Sequence, residues 1–260
     1  MSKWSKCKVI AIANQKGGVG KTTTSVNLSA ELNKRGYKTL LIDSDGQCNS
    51  TDTCQAIVEE QATLYDLLFE NENAVNCIQK THITDMIASD PLLNDSEHRF
   101  PNNASRLFLL RDNCQELLDI YNFIIIDTPP NLGCMLSNIL TFADYVIIPV
   151  TCDRYGMMGI NELYNTIISA KKYTNPNLDV LGILFIKYHY NRVLSKEFSE
   201  KLPEVLADFD TSIFETKIRE SESCRKAQAS CQTVNEYDSN STTAKDYITF
   251  ANEVLCLLDV

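Results

Sequence analysis

The sequence predicts an α/β fold, a doubly wound and mostly parallel sheet with helices on both faces. Three observations carry this. Short runs rich in Val and Ile recur as unbroken apolar blocks, which is the text of strands covered on both sides. Stretches of helical text separate these runs, so strand and helix alternate along the chain. Of the nine glycines, Gly17, Gly18 and Gly20 fall within four residues, directly after the first apolar run and directly before the first helical stretch. Such clustering implies a backbone bent tightly around an anion.

The elements follow in order. Val9, Ile10, Ala11, Ile12 and Ala13 form the first strand, and the text NQKGGVGKTTT occupies 14–24. A helix over 23–35 stops at Gly36. A second strand over 39–42 ends at Asp43. Signals weaken between 51 and 122, where Thr63 followed by Asp66 reads as a capping box opening a helix. Residues 90–105 are polar and hold two prolines, which predicts a surface loop or insertion. A helix over 104–120 leads to a strand over 123–126 that ends at Asp127. Then come a helix over 135–142, a strand over 145–150, a helix over 157–173, a strand over 180–186, and helices over 193–206 and 243–258. No internal repeat appears, and 1–260 reads as a single domain. In sheets of this kind ligands bind at the carboxyl ends of the strands. Asp43, Asp127 and the glycine loop all sit at such ends.

A 44% hydrophobic content supplies a core for a chain of 260 residues, within the reach of one α/β domain. The basic start MSKWSKCK leads into only five apolar residues, too few for a signal peptide, and no stretch approaches the ~18 apolar residues of a membrane span. A cytoplasmic protein with no membrane partner is expected. Ten cysteines without any Cys-x-x-Cys imply reduced thiols. His82, His98 and His189 do not cluster, so no structural zinc is expected. The net charge of −10 argues against a globally electrostatic nucleic-acid binder and leaves room for a local patch.

The chemistry concentrates in the glycine loop. A phosphate-binding nucleotide loop ends in Gly-Lys-Ser/Thr, and Gly20, Lys21 and Thr22 supply that ending. Gln15 stands where the first glycine of the ordinary pattern belongs, and a second lysine, Lys16, precedes the glycines. Gly17, Gly18, Val19, Gly20 and Thr23 are expected to wrap the phosphates, Lys21 to reach the β- and γ-phosphates, and the Thr22 hydroxyl to ligate Mg²⁺. Asp127 closes an apolar strand in the manner of a second magnesium-side carboxylate; an acid capping the following turn is the other reading. Asp43 and Asp45, two apart on extended chain, face opposite ways and read equally as a solvated turn.

Four tracts, NQKGGVGKTTTSVNL, LLIDSDGQ, FIIIDTPPNLG and Val146-Ile-Ile-Pro-Val with the following Gly-Ile-Asn-Glu-Leu, together resemble ParA-type, Soj-like partition ATPases of the ParA/MinD superfamily, a P-loop NTPase type with a deviant nucleotide loop. The resemblance implies ATP and Mg²⁺ as cofactors and slow hydrolysis to ADP and phosphate stimulated by a centromere-binding, ParB-like partner. It implies a homodimer on ATP binding and non-specific DNA binding in that state, hence nucleoid association. Lys16 is similar to the signature lysine that crosses the dimer interface to the partner's nucleotide; a solvent-facing lysine is the plain alternative. Asp45 is placed to orient the attacking water, and Asp43 to help hold the magnesium shell. The family pattern carries proline where this chain has Gly46 and usually glycine where it has Cys48, and Pro-Arg-Asn near the segment starting at Thr216. By position Ile218 and Glu220 flank the adenine, or else form an ordinary strand end and turn.

For DNA the candidate cations are Lys187, Arg192, Lys196, Lys217, Arg219, Arg225 and Lys226, although Glu220 and Glu222 dilute the last of these and charge runs are usually solvated faces. Membrane-associating relatives carry a basic C-terminal helix, which this chain lacks after Lys245. Cys134 falls where nitrogenase-type reductases place a cluster ligand, but no glycine-flanked companion cysteine precedes Asp127, and a buried small hydrophobe is expected there. No appended N-terminal DNA-reading domain is expected. An ATPase that positions a cargo other than DNA, and a nucleotide switch that does not hydrolyse, are the alternatives.

Overall fold

The computed structural model describes residues 7–191, 195, 197–200 and 211–260, with the backbone alone at 154–159. Its strands are β1 (Lys8–Ile12), β2 (Thr39–Asp43), β3 (Ile78–Lys80), β4 (Asp85–Ile87), β5 (Phe123–Asp127), β6 (Tyr145–Thr151) and β7 (Asp179–Ile186). Its helices are α1 (Lys21–Lys34), α2 (Asn49–Cys54), α3 (Leu64–Phe69), α4 (Leu109–Asn113), α5 (Cys134–Phe142), α6 (Arg154–Tyr173), α7 (Glu222–Ala229), α8 (Val234–Tyr237) and α9 (Thr242–Leu257). The strands form one sheet in the order β3-β4-β2-β5-β1-β6-β7, parallel except where β3 runs against β4.

Unbroken apolar text works here because each strand feeds two cores. In β1, Val9 and Ala11 enter the core under α5 and α6, while Ile10 and Ile12 enter the one under α1 and α9. In β5, Ile124 and Ile126 take the first side and Phe123 and Ile125 the second. Successive side chains of a strand point to opposite faces, so both sets must be apolar when helices cover both. The apolar face of α9, including Tyr247, Phe250 and Val254, is spent in the second core. Among the described residues no helix is long and apolar enough to cross a membrane.

The register places the site. β2 and β5 pair so that Asp43 lies opposite Asp127, and β1 pairs with β5 so that Ile12 lies opposite Asp127. The chain leaves β1 for the glycine loop at this same edge.

The fold departs from the sequence expectations between 60 and 120. The capping box at Thr63 is formed, with Asp66 accepting from the Thr63 amide, and α3 follows. The single helix expected over 104–120 is instead a 3₁₀ turn (Ala104–Leu107), α4 and a second 3₁₀ turn (Gln115–Asp119). Residues 90–105 are not a simple surface loop. They carry a 3₁₀ helix (Pro91–His98), capped by the Asp90 side chain on the Leu92 amide, and they bury Leu93 and Phe100 in the first core. The two apolar anchors are enough to fix a segment whose other residues are polar. Strands β3 and β4, of three residues each, are too short for a periodic signal. The expected helix over 193–206 lies largely outside the described residues, as do Arg192 and Lys196.

Candidate active site

Asn14 braces the glycine loop at its start. Its Nδ2 donates to the Pro149 carbonyl of β6 at 2.7 Å, and its Oδ1 accepts from the Lys16 amide at 2.9 Å. Gly20 caps α1 with φ +76°, a left-handed conformation, and its carbonyl accepts from the Thr24 amide. A Cβ at Gly20 would also meet Ile186 Cδ1 at 2.6 Å. Backbone angle and close approach thus both call for glycine. The amides beyond it open toward the cavity with the positive end of α1 behind them. Lys21, the first residue of α1, is buried with its Nζ 3.4 Å from the Lys16 carbonyl. Burial lowers its pKa, and the charges of Asp127 and Asp45 act in the opposite direction.

The paired acids at the ends of β2 and β5 have different surroundings. Asp127 accepts from Ser50 Oγ at 2.6 Å, from Ser25 Oγ at 3.3 Å and from the Thr22 hydroxyl. Burial pushes its pKa up to about 6, against the pull of Ser50, Thr22 and the Lys21 charge. Asp43 is fully buried and accepts from the Thr51 amide and hydroxyl, both at 2.8 Å, and from the Asp45 amide at 3.1 Å. Burial first, and the neighbouring Asp127 charge second, push its pKa up to about 8. A carboxylate next to another in a dry site holds its proton more tightly. Asp43 therefore spends its oxygens on the turn that carries Asp45 and on the start of α2, and it does not line the cavity.

Asp45 does line the cavity. The two departures in its loop have a structural basis. Gly46 lies under the 3₁₀ helix of the 91–98 segment: a Cβ there would be 2.7 Å from the Asn94 amide nitrogen, and Asn94 Nδ2 donates to the Gly46 carbonyl at 2.9 Å. Cys48 takes φ +56°, the conformation that explains why glycine is usual at this position.

The cavity holds about 440 Å³. Gly17, Gly18, Gly20, Lys21, Thr22 and Thr23 bound its phosphate end. Ile218 and Glu220 line it as well, together with Thr243 and Tyr247 of α9. Val19 is not among the lining residues; it packs in the core under α1. Tyr247 joins α9 to α1 through a 3.3 Å contact with Thr24 Oγ1. Sequence reasoning missed the α7 and α9 contributions, because these residues carry no motif and lie more than two hundred positions from the loop.

Among the described residues the expected DNA cations Lys187, Arg225 and Lys226 are exposed, and Lys217 and Arg219 are half-buried. Lys187, Arg219 and Arg225 line the same cavity. Arg219 Nε donates to Asp246 Oδ2 at 2.9 Å, and Lys226 is ion-paired to Glu222 on its own helix at 3.2 Å. Lys16 extends across the loop to Asp153 just beyond β6, with both carboxylate oxygens at 2.8 Å and Thr151 Oγ1 at 3.3 Å. Cys134 is buried at the start of α5, where Arg106 Nε donates to its sulfur at 3.4 Å. No disulfide joins the described cysteines, and among the described residues no three of His, Cys, Asp and Glu converge as metal ligands. Thr22 and Asp45, which line the cavity, and Asp127 behind Thr22 carry oxygen donors of the kind Mg²⁺ takes together with phosphate oxygens and water.

Comparison with known proteins agrees with this geometry. An AAA-domain family model matches residues 7–180. The sporulation initiation inhibitor protein Soj of Bacillus subtilis is 34% identical over 252 residues, covering 95% of this chain and 98% of that protein. The chromosome partitioning protein ParA of Caulobacter vibrioides is 32% identical over 253 residues, covering 95% and 94%. The structure is similar to that of cobyrinic acid a,c-diamide synthase from Mycobacterium smegmatis with bound ATP analogue and magnesium, with a TM-score of 0.83, 26% identity and 97% and 96% of the two chains covered. The chain belongs to the ParA/Soj-like family of partition ATPases.

Proposed function

We propose that residues 1–260 act as one Mg²⁺-dependent ATPase domain that dimerises on ATP and binds duplex DNA without sequence preference, to drive plasmid or chromosome partition. One observation supports it above the rest: Lys21, Thr22 and Asp45 line a single nucleotide-sized cavity, and Asp127 is buried behind Thr22, whose hydroxyl it accepts from. In this reading Gly17 to Thr23 hold the phosphates, and Thr22 with Asp127 hold the magnesium, which neutralises charge on the phosphates. Asp45 orients a water whose oxygen attacks the γ-phosphorus, and Asp43 fixes the turn on which Asp45 stands. Lys21 counters the charge that builds as ADP departs. Ile218 and Glu220 flank the base.

Lys16 acts on the partner's nucleotide. Its ion pair with Asp153 holds it within its own subunit, so the trans contact requires that pair to open. A centromere-binding protein accelerates hydrolysis, and the ATP-bound form associates with the nucleoid. Support for DNA comes from the family, whose relatives include a chromosome partitioning protein, since three of the expected cations, Lys187, Arg219 and Arg225, line the cavity.

The test compares binding of a non-specific duplex with ATP, with ADP and with no nucleotide at moderate salt, where phosphate contacts dominate affinity. Binding confined to the ATP state is expected. Equal or absent binding in all three would favour a cargo other than DNA. Asp45→Ala separates an ATPase from a non-hydrolysing switch: turnover should fall with ATP binding kept, and unchanged turnover would remove Asp45 from the chemistry.

A further inference from the structure

Lys187 follows β7 directly and takes φ +51°. A left-handed conformation at a non-glycine residue is strained and persists where surrounding contacts enforce it. Its consequence is direction. The chain turns so that the Lys187 ammonium crosses to the glycine loop and donates to the Gly18 carbonyl at 2.9 Å. Ile186, the residue before it, rests on Gly20. The end of β7 is therefore fastened to the phosphate loop at two successive residues, and Lys187 lines the cavity alongside Lys21 and Thr22.

The cations around this cavity differ in what faces them. Lys21 feels Asp127 and Asp45, Arg219 is held by Asp246, and Lys16 is held by Asp153. Among the described residues Lys187 has no ion pair, and its hydrogen bond goes to a neutral carbonyl. Its charge extends into the cavity wall, where it pulls down the pKa of Cys224, a thiol otherwise pushed up by burial. A hydrogen bond between two charged groups is roughly twice as strong as one to a neutral acceptor. A polyphosphate entering this cavity therefore offers Lys187 a better partner than the one it has.

We propose that Lys187 is a nucleotide-binding residue, a further phosphate-contacting lysine that exchanges the Gly18 carbonyl for the β- or γ-phosphate oxygens of the bound nucleoside triphosphate. The proposal rests on the nucleotide reading of the cavity and moves Lys187 from the DNA surface to the ATP site. It also makes the end of β7 respond to the nucleotide, since the bond that fastens it to the loop is the one exchanged.

The test is calorimetric titration of ATP, ADP and AMP, with Mg²⁺, into wild-type protein, Lys187→Met and Lys187→Arg at low and high salt. Lys187→Met should weaken ATP by about tenfold, the scale of one charge-assisted hydrogen bond. ADP should lose less, AMP should be unchanged, and the salt dependence of ATP binding should become shallower. Lys187→Arg should restore most of the ATP affinity, which a loss of fold would not allow. Equal ATP affinity in wild type and Lys187→Met would overturn the assignment. Parallel loss for AMP would overturn it in favour of loop support alone. Weakened duplex binding at saturating ATP, with ATP affinity intact, would return Lys187 to a DNA surface. Wild-type protein that binds none of the three nucleotides would overturn the nucleotide reading and this assignment with it.

Discussion

The two ends of the cavity are built on different plans. The phosphate end is made by one continuous stretch, from Asn14 to Ser25, joined to two strand ends whose acids are buried. Its geometry is held by backbone angles, by amides and by hydroxyls with no freedom to turn away. The other end, proposed to take the base, is assembled from the segment around Ile218, α7 and α9. There the connections are side-chain ion pairs such as Arg219 with Asp246, and several members are half exposed. Buried charge is concentrated at the first, in Lys21, Asp43 and Asp127; at the second Ile218, Thr243 and Tyr247 are buried and the charged Glu220 and Arg225 are exposed. Energy should therefore concentrate at the first and be spread thinly over the second.

Three substitutions sharpen or break that contrast. The largest effect is expected from Lys21→Ala, which removes the buried cation facing Asp127 and Asp45. ATP turnover should fall by about 100-fold or more, the cost of losing one preorganised charge at a transition state, read by phosphate release at saturating ATP. A loss below about tenfold would place the decisive charge elsewhere. At the other end, Arg219→Ala breaks an ion pair whose aspartate is nearly buried. Urea unfolding should show a loss of about 1 kcal/mol, with turnover at saturating ATP little changed. A collapse of turnover would mean that the base end is as demanding as the phosphate end. The smallest effect is expected from Cys48→Gly. Glycine relieves the left-handed angle at this position, for a gain of about 0.5–1 kcal/mol after its own chain-entropy cost, seen as a higher unfolding midpoint. No gain would show that Cys48 packs well enough to offset its backbone.

The same contrast explains what could be read from the sequence. The long strands of the sheet followed from unbroken apolar runs, and the glycine loop from glycines, lysines and a threonine at fixed spacing, because both depend on local periodicity or contiguous motif. Asp127 was singled out by its place at a strand end, and Asp45 by the family resemblance, since its own residues read equally as a solvated turn. Lys187 and Arg219 were visible as charges, but their direction was not. A positive φ at one residue and a carboxylate twenty-seven positions away turned them toward the cavity. Thr243 and Tyr247 enter the site because α9 docks on α1, a tertiary event without a motif. Residues 90–105 misled for a related reason: polar text outweighed Leu93 and Phe100, the two residues that anchor it.

The pairing of Asp43 with Asp127 carries one more implication. Their separation is set by the ladder between β2 and β5, and a ladder can shift only in whole residues. A slip by one would replace Asp127 with Ile126 or Thr128 and turn every neighbour to the opposite face. The distance between the two acids thus has no soft direction along which it can drift. Heat, solvent or mutation can abolish it, but intermediate values are closed to it, so this corner of the molecule behaves as a ruler with integer marks.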